Sequence, residues 1–130
     1  MAWEGIDRRK FPRILYPCMV KISSKGHDQD VFLTHTENIG SGGCCVIVKK
    51  EIKMFTTVTV ELDLIDEQDH IFAEGKVVWS VRRKAIAEYK PSFYDVGVEF
   101  FNMAEKDKKR LEASMNVFFK KGYKTLKPLY

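Results

Sequence analysis

Two short stretches of this 130-residue chain carry groups able to hold an anion. The first runs Arg8, Arg9, Lys10, Phe11, Pro12, Arg13, with four cations and no acid. Arginine offers five donors in a rigid fork that matches phosphate oxygens and the O6/N7 edge of guanine. Pro12 biases Phe11 towards an extended backbone, so the arm should enter the first strand extended. The second stretch is Asn38, Ile39, Gly40, Ser41, Gly42, Gly43, just before an apolar run from Cys44. Its glycines permit positive φ and let backbone N–H groups approach a ligand. Asn38 adds an amide that can pair with a base edge or bridge to backbone. Each stretch also has a plainer reading: a solvated basic tail, and a tight hairpin turn. The second is not a P-loop, because no Gly-Lys-Ser/Thr closes it and no helical pattern follows.

The elements that must position these groups are strands. Segments rich in β-branched and aromatic residues, or strictly alternating, run Ile14–Ile22, Val31–Thr36, Cys44–Val48, Thr57–Leu64, Ile71–Val81 and Asp95–Phe101. Val58, Val60, Leu62 and Leu64 form one apolar face, and Val96, Val98 and Phe100 another. Turn signals fall at Lys25–Gly26, Asn38–Gly43 and Asp66–Asp69, and Arg82–Phe93 reads as a longer loop or ragged strand end. Asn102, three residues before Glu105, makes a capping-box variant. Leu111, Met115 and Phe118 then recur at helical spacing, and Gly122 marks the stop. Short strands without helical crossovers, followed by one helix, predict a mainly β protein: a six-stranded antiparallel β-barrel with a C-terminal α-helix. The expected organisation is a flexible arm over 1–13, barrel over 14–101, helix over 102–122 and tail over 123–130, one domain overall.

Composition narrows the function classes. Hydrophobic residues make up 45% and charged residues 31%, ordinary for a globular domain. No apolar run approaches the roughly 20 residues of a membrane span, and the N-terminus has no apolar signal region, so a cytoplasmic protein is expected. The net charge of +4 is concentrated in the N-terminal arm and beyond Glu105, which suits a compact anion. Cys18, Cys44 and Cys45 have no C-x-x-C spacing, and His27, His35 and His70 are scattered. Reduced, buried cysteines are expected, and no metal site. No nucleophile elbow, His-Glu-x-x-His or Walker motif is present, so the chain does not read as an enzyme. Trp79 has two readings, a core side chain or an aromatic wall beside a bound base. Lys76, Arg82 and Arg83 flank it.

Taken together, the two anion-holding stretches resemble the signature of the PilZ domain, the bacterial receptor module for cyclic di-GMP. That family carries RxxxR before the first barrel strand, matched by Arg9 and Arg13, and [DN]xSxxG further on, matched at its ends by Asn38 and Gly43. Gly75-Lys76-Val77-Val78-Trp79 and Gly97-Val98-Glu99-Phe100 are also similar, so the resemblance covers nearly the whole chain as a stand-alone module. The family serine falls at Gly40, with Ser41 one place late. The resemblance implies a cyclic di-GMP site made by Arg8, Arg9, Arg13, Asn38, Gly40, Ser41, Gly43 and Trp79. In it the arginines hold phosphates and guanine edges, Asn38 contacts a guanine, and Gly43 lets the strand start close to the ligand. A basic residue before RxxxR, here Arg8, implies two ligand molecules as an intercalated dimer. Ligand-induced ordering of the arm would then signal to an unidentified effector protein. The alternatives are an adaptor of the same fold that no longer binds the nucleotide and, lower, a nucleic-acid-binding barrel.

Overall fold

The computed structural model describes residues 13–15, 18–24, 30–64, 68–83, 93–122 and 125–126. The strands are β1 (Arg13–Ile14), β2 (Met19–Ser24), β3 (Val31–Gly40), β4 (Gly43–Val48), β5 (Thr57–Asp63), β6 (Ile71–Arg82), β7 (Tyr94–Met103) and β8 (Thr125–Leu126), with one helix, α1 (Glu105–Lys120), between β7 and β8. Hydrogen-bonded neighbours follow the order β2-β5-β6-β7-β4-β3, and β3 pairs back onto β2. All these pairings are antiparallel, so the expected six-stranded closed barrel with a C-terminal helix is the fold. Closure pairs each of these six strands on both sides, which removes the open sheet edge.

Alternation builds the core. Burial alternates strictly along β5, with Val58, Val60 and Leu62 fully inside and the residues between them half-buried. They meet Val20 and Ile22 of β2, Ile71 and Val77 of β6, and Val96 and Val98 of β7 in one cluster. Leu111, Met115 and Phe118 of α1 join that cluster, as their spacing predicted. Burying a Leu, Met or Phe side chain contributes about 1.5–3 kcal/mol, so this stripe suffices to dock a 16-residue helix. Cys18, Cys44 and Cys45 are buried and form no disulfide with one another.

Local details depart from the sequence reading. The segment Ile14–Ile22 is two strands, since β1 stops at Ile14 and β2 starts at Met19. Pro17 lies between them in sequence and has no N–H to give a ladder. Cys18 makes the new start: its N–H donates to Thr36 Oγ1 at 3.0 Å, and its carbonyl accepts from the Thr36 N–H at 2.9 Å. β3 runs on through Asn38, Ile39 and Gly40, leaving only Ser41 and Gly42 as the turn. Asn102 still belongs to β7 and its amide donates to Glu74 Oε1, so the capping box is not made. Ala104 is the N-cap, without a side-chain hydrogen bond, and Glu105 and Asp107 sit in the first turn, where their charge complements the helix dipole. Gly122 does end the helix, with φ +92°. The Lys25–Gly26 turn, residues 65–67 (the first two positions of the Asp66–Asp69 turn among them) and residues 84–92 lie outside the described residues.

Candidate functional site

Directly opposed residues in an antiparallel sheet project from the same face. Asn38 opposes Cys45, Cys45 opposes Gly97, and Gly97 opposes Trp79. One row across β3, β4, β7 and β6 therefore carries Asn38 at one end and Trp79 at the other. At about 4.8 Å per strand it spans about 14 Å, the scale of a nucleotide. The next outer row is Gly40, Gly43, Glu99, Lys76 and Thr57. Asn38, Gly40, Gly43 and Trp79 thus share the side of the sheet turned away from the core, where Asn38, Gly40 and Gly43 are buried and Trp79 is half-buried; Ser41, also buried, is in the turn that joins β3 to β4.

Two bulges create this face. Along β6, Ile71, Ala73, Gly75 and Val77 are buried, so strict alternation would send position 79 inward as well. A register irregularity between Val77 and Trp79 inserts Val78 as an extra residue and turns Trp79 out. Along β3, Thr36 is buried and faces the core side, and a second irregularity between Thr36 and Asn38 does the same at Glu37. Glu37 and Asn38 both stand over Cys45 as a result. The half-buried Trp79 is not a member of the core cluster. Its indole lies on Gly97: a Cβ there would sit 2.2 Å from Nε1 and 2.3 Å from Cε2.

The glycines of the turn act differently from the expectation. Gly122 is the only glycine with positive φ among the described residues, so Gly40, Gly42 and Gly43 take ordinary backbone conformations. Gly40 opposes Gly43, and both are buried, so this end of the outer row carries no side chain on either strand.

Arg8 and Arg9 lie outside the described residues. The backbone of Arg13 is in β1, where Ile14 opposes Ile39. Continuing that antiparallel register brings Arg13 level with Gly40, beside the glycine end of the face. Arg83 is the cation that sequence reasoning undervalued. Its Nε donates to Asp95 Oδ2 at 3.2 Å and its Nη2 lies 3.8 Å from Glu37 Oε1. Glu37, Cys45 and Asp95 bring their side-chain ligand atoms within 4.8 Å of one another, and Arg83 supplies the cation there. Gly97 was legible in principle, because glycine at an outer position of an alternating strand signals close approach of another group. Glu37 was not, because its place depends on the bulge.

A separate cleft of about 1020 Å³ lies between the start of β6 and the first turns of α1, lined by Asp69, His70, Phe72, Lys106 and Arg110 among others. It includes none of the residues of the outer rows. Beside it His70 Nδ1 is 2.7 Å from Glu61 Oε2, and Nε2 is 3.5 Å from Asp63 Oδ2. The Glu61 hydrogen bond, helped by the charge of Asp63, holds the His70 pKa above its ordinary value of 6.5. No helix among the described residues is long and apolar enough to cross a membrane.

Residues 7–116 match the PilZ domain family. The chain belongs to that family. No curated protein matches it in sequence. Similar solved structures include the Bacillus subtilis inhibitor of motility MotI (DgrA), 18% identical with a TM-score of 0.68 over 88% of this chain and 53% of that one. The PilZ domain of Escherichia coli YcgR with c-di-GMP is 14% identical with a TM-score of 0.66, over 88% and 93%. The MrkH–c-di-GMP complex of K. pneumonia is 17% identical with a TM-score of 0.67, over 88% and 53%. The present chain spans about half the length of MotI and MrkH.

Proposed function

We propose that this protein is a cyclic di-GMP receptor that binds its ligand on the outer face of β3, β4, β7 and β6. The observation that carries the reading is the single row Asn38, Cys45, Gly97, Trp79, in which two bulges bring a polar base partner and an aromatic wall to one surface. Membership of the PilZ family supports it, as do c-di-GMP complexes among its structural neighbours. Trp79 supplies a π face for a purine, and Asn38 an amide for its edge. Arg9 and Arg13 supply the forks for phosphate oxygens, with β1 delivering Arg13 to the glycine end of the row. Charge-assisted hydrogen bonds contribute about 1.5–3 kcal/mol each, so three or four of them with stacking reach about micromolar affinity.

The signalling step follows from the chemistry of the arm. In this reading the arginines of the arm engage the ligand phosphates, and binding thereby orders the arm and changes the surface shown to an effector protein in the cytoplasm. The protein acts as a receptor and not as a catalyst. Arg8 adds the charge needed for a second, intercalated ligand molecule. One observation favours a second reading, an adaptor without ligand: Gly40 stands where the family has a serine hydroxyl. Calorimetric titration with cyclic di-GMP decides between them. Saturable binding at micromolar concentration supports the receptor, and no heat with a folded protein supports the adaptor.

A further inference from the structure

Glu37 stands at the edge of the outer face because the β3 bulge places it over Cys45 together with Asn38. The two contacts of Arg83 there are unequal. The 3.2 Å approach to Asp95 is a hydrogen bond, whereas the 3.8 Å approach to Glu37 is an ion pair too long to be one. Arg83 is therefore anchored on β7 by Asp95. Glu37, with its side chain 35% exposed, keeps acceptor capacity towards the surface. Cys45 beneath is 4% exposed and forms a floor, and its strand neighbour Gly97 lies under the Trp79 indole. A carboxylate is thus held one row from an aromatic ring, with a fixed cation beside it.

That combination discriminates among purines. Guanine presents N1–H and the 2-amino group as adjacent donors on one edge, and a carboxylate accepts both. Hypoxanthine keeps N1–H but lacks the amino group, and adenine offers an acceptor at N1. We propose that Glu37 is a specificity-determining residue that selects guanine at this face, with Asp95-anchored Arg83 offsetting its charge. The inference rests on the reading of this face as the cyclic di-GMP site. It adds to that reading the group that distinguishes guanine from other purines.

The test is calorimetry of the full chain with cyclic di-GMP, cyclic di-IMP and cyclic di-AMP, for the wild type, Glu37→Ala and Glu37→Gln, with melting temperatures measured in parallel. Loss of one charge-assisted hydrogen bond is expected to make the wild type prefer cyclic di-GMP over cyclic di-IMP by about tenfold or more, and over cyclic di-AMP by more still. Glu37→Ala is expected to compress the first preference to about twofold, with an unchanged melting temperature. Glu37→Gln keeps one acceptor and falls between. If the wild type binds cyclic di-GMP but the preference is absent, or is equal in Glu37→Ala, the inference is overturned and the site reading stands. If the wild type binds no cyclic di-GMP, both are overturned.

Discussion

The indole of Trp79 occupies the space that any side chain at position 97 would need. An added Cβ would lie 2.2 Å from Nε1 and 2.8 Å from Cδ1. Because Gly97 opposes Trp79 across β6 and β7, the ring packs against the β7 backbone where no side chain intervenes.

Gly97→Ala should therefore push the ring away from the sheet. The backbone at Gly97 has ordinary φ, so the fold should survive with a modestly lowered melting temperature. Cyclic di-GMP affinity should fall by about tenfold, the value of an aromatic stack of roughly 1.5 kcal/mol. Tryptophan emission in a Trp3→Phe background should shift red. Unchanged affinity would remove Trp79 from the site.

Gly40→Ser restores the hydroxyl at the family's serine position. Gly40 ends β3 opposite Gly43 without positive φ, so serine meets no backbone penalty there. Binding should tighten by up to about tenfold, from one hydrogen bond of roughly 0.5–1.5 kcal/mol. A loss of affinity together with a lower melting temperature would show that the hairpin has no room for the side chain.

The barrel was legible because its inner positions alternate, as Val58, Val60 and Leu62 do, and because Leu111, Met115 and Phe118 keep helical spacing. The family was legible too, through arginines and glycines in a recognisable pattern, and from that pattern the candidate site residues are named. The geometry of the site was not. Period-two alternation carried through Gly75 and Val77 puts Trp79 in the core, and only the bulge at Val78 turns it out. The same holds at Glu37, where the extra residue brings an acid beside Asn38. Bulges are set by the register of the partner strand, which no local pattern along β3 or β6 encodes. Arg83 read as a loop cation because Asp95 and Glu37, its partners, are distant in sequence.

His70 gives the fold a pH dependence away from the site. Its pKa is raised above 6.5, chiefly by the hydrogen bond to Glu61. A raised pKa means that the imidazolium form is favoured in the folded state. The resulting stabilisation is complete below about pH 6.5 and is lost as pH rises through the higher folded value. Melting temperature should therefore fall as pH rises above about 6.5 in the wild type, and less so in His70→Gln. Parallel profiles for the two proteins would contradict this.

The proposed receptor takes two ligands per chain, with Arg8 as the residue that sets this number. Two dianionic molecules packed together need cationic charge beyond Arg9 and Arg13, and a guanidinium can stack on a base while bonding a phosphate. Wild-type titration should end near two ligands per chain, and Arg8→Leu near one, with the first binding event kept. A wild-type endpoint of one would contradict the intercalated pair.

The central claim is that the arginine arm and the outer face together hold cyclic di-GMP. Calorimetric titration of the wild type, Arg9→Ala and Arg13→Ala tests it most directly, with hydrogen exchange followed across residues 6–13. The wild type should bind at about micromolar concentration with favourable enthalpy against unfavourable entropy, as the ordering of a segment requires. Exchange across the arm should slow on binding, and each alanine variant should abolish the heat while melting as the wild type does. Equal affinity in either variant, or an arm already protected without ligand, would contradict the account.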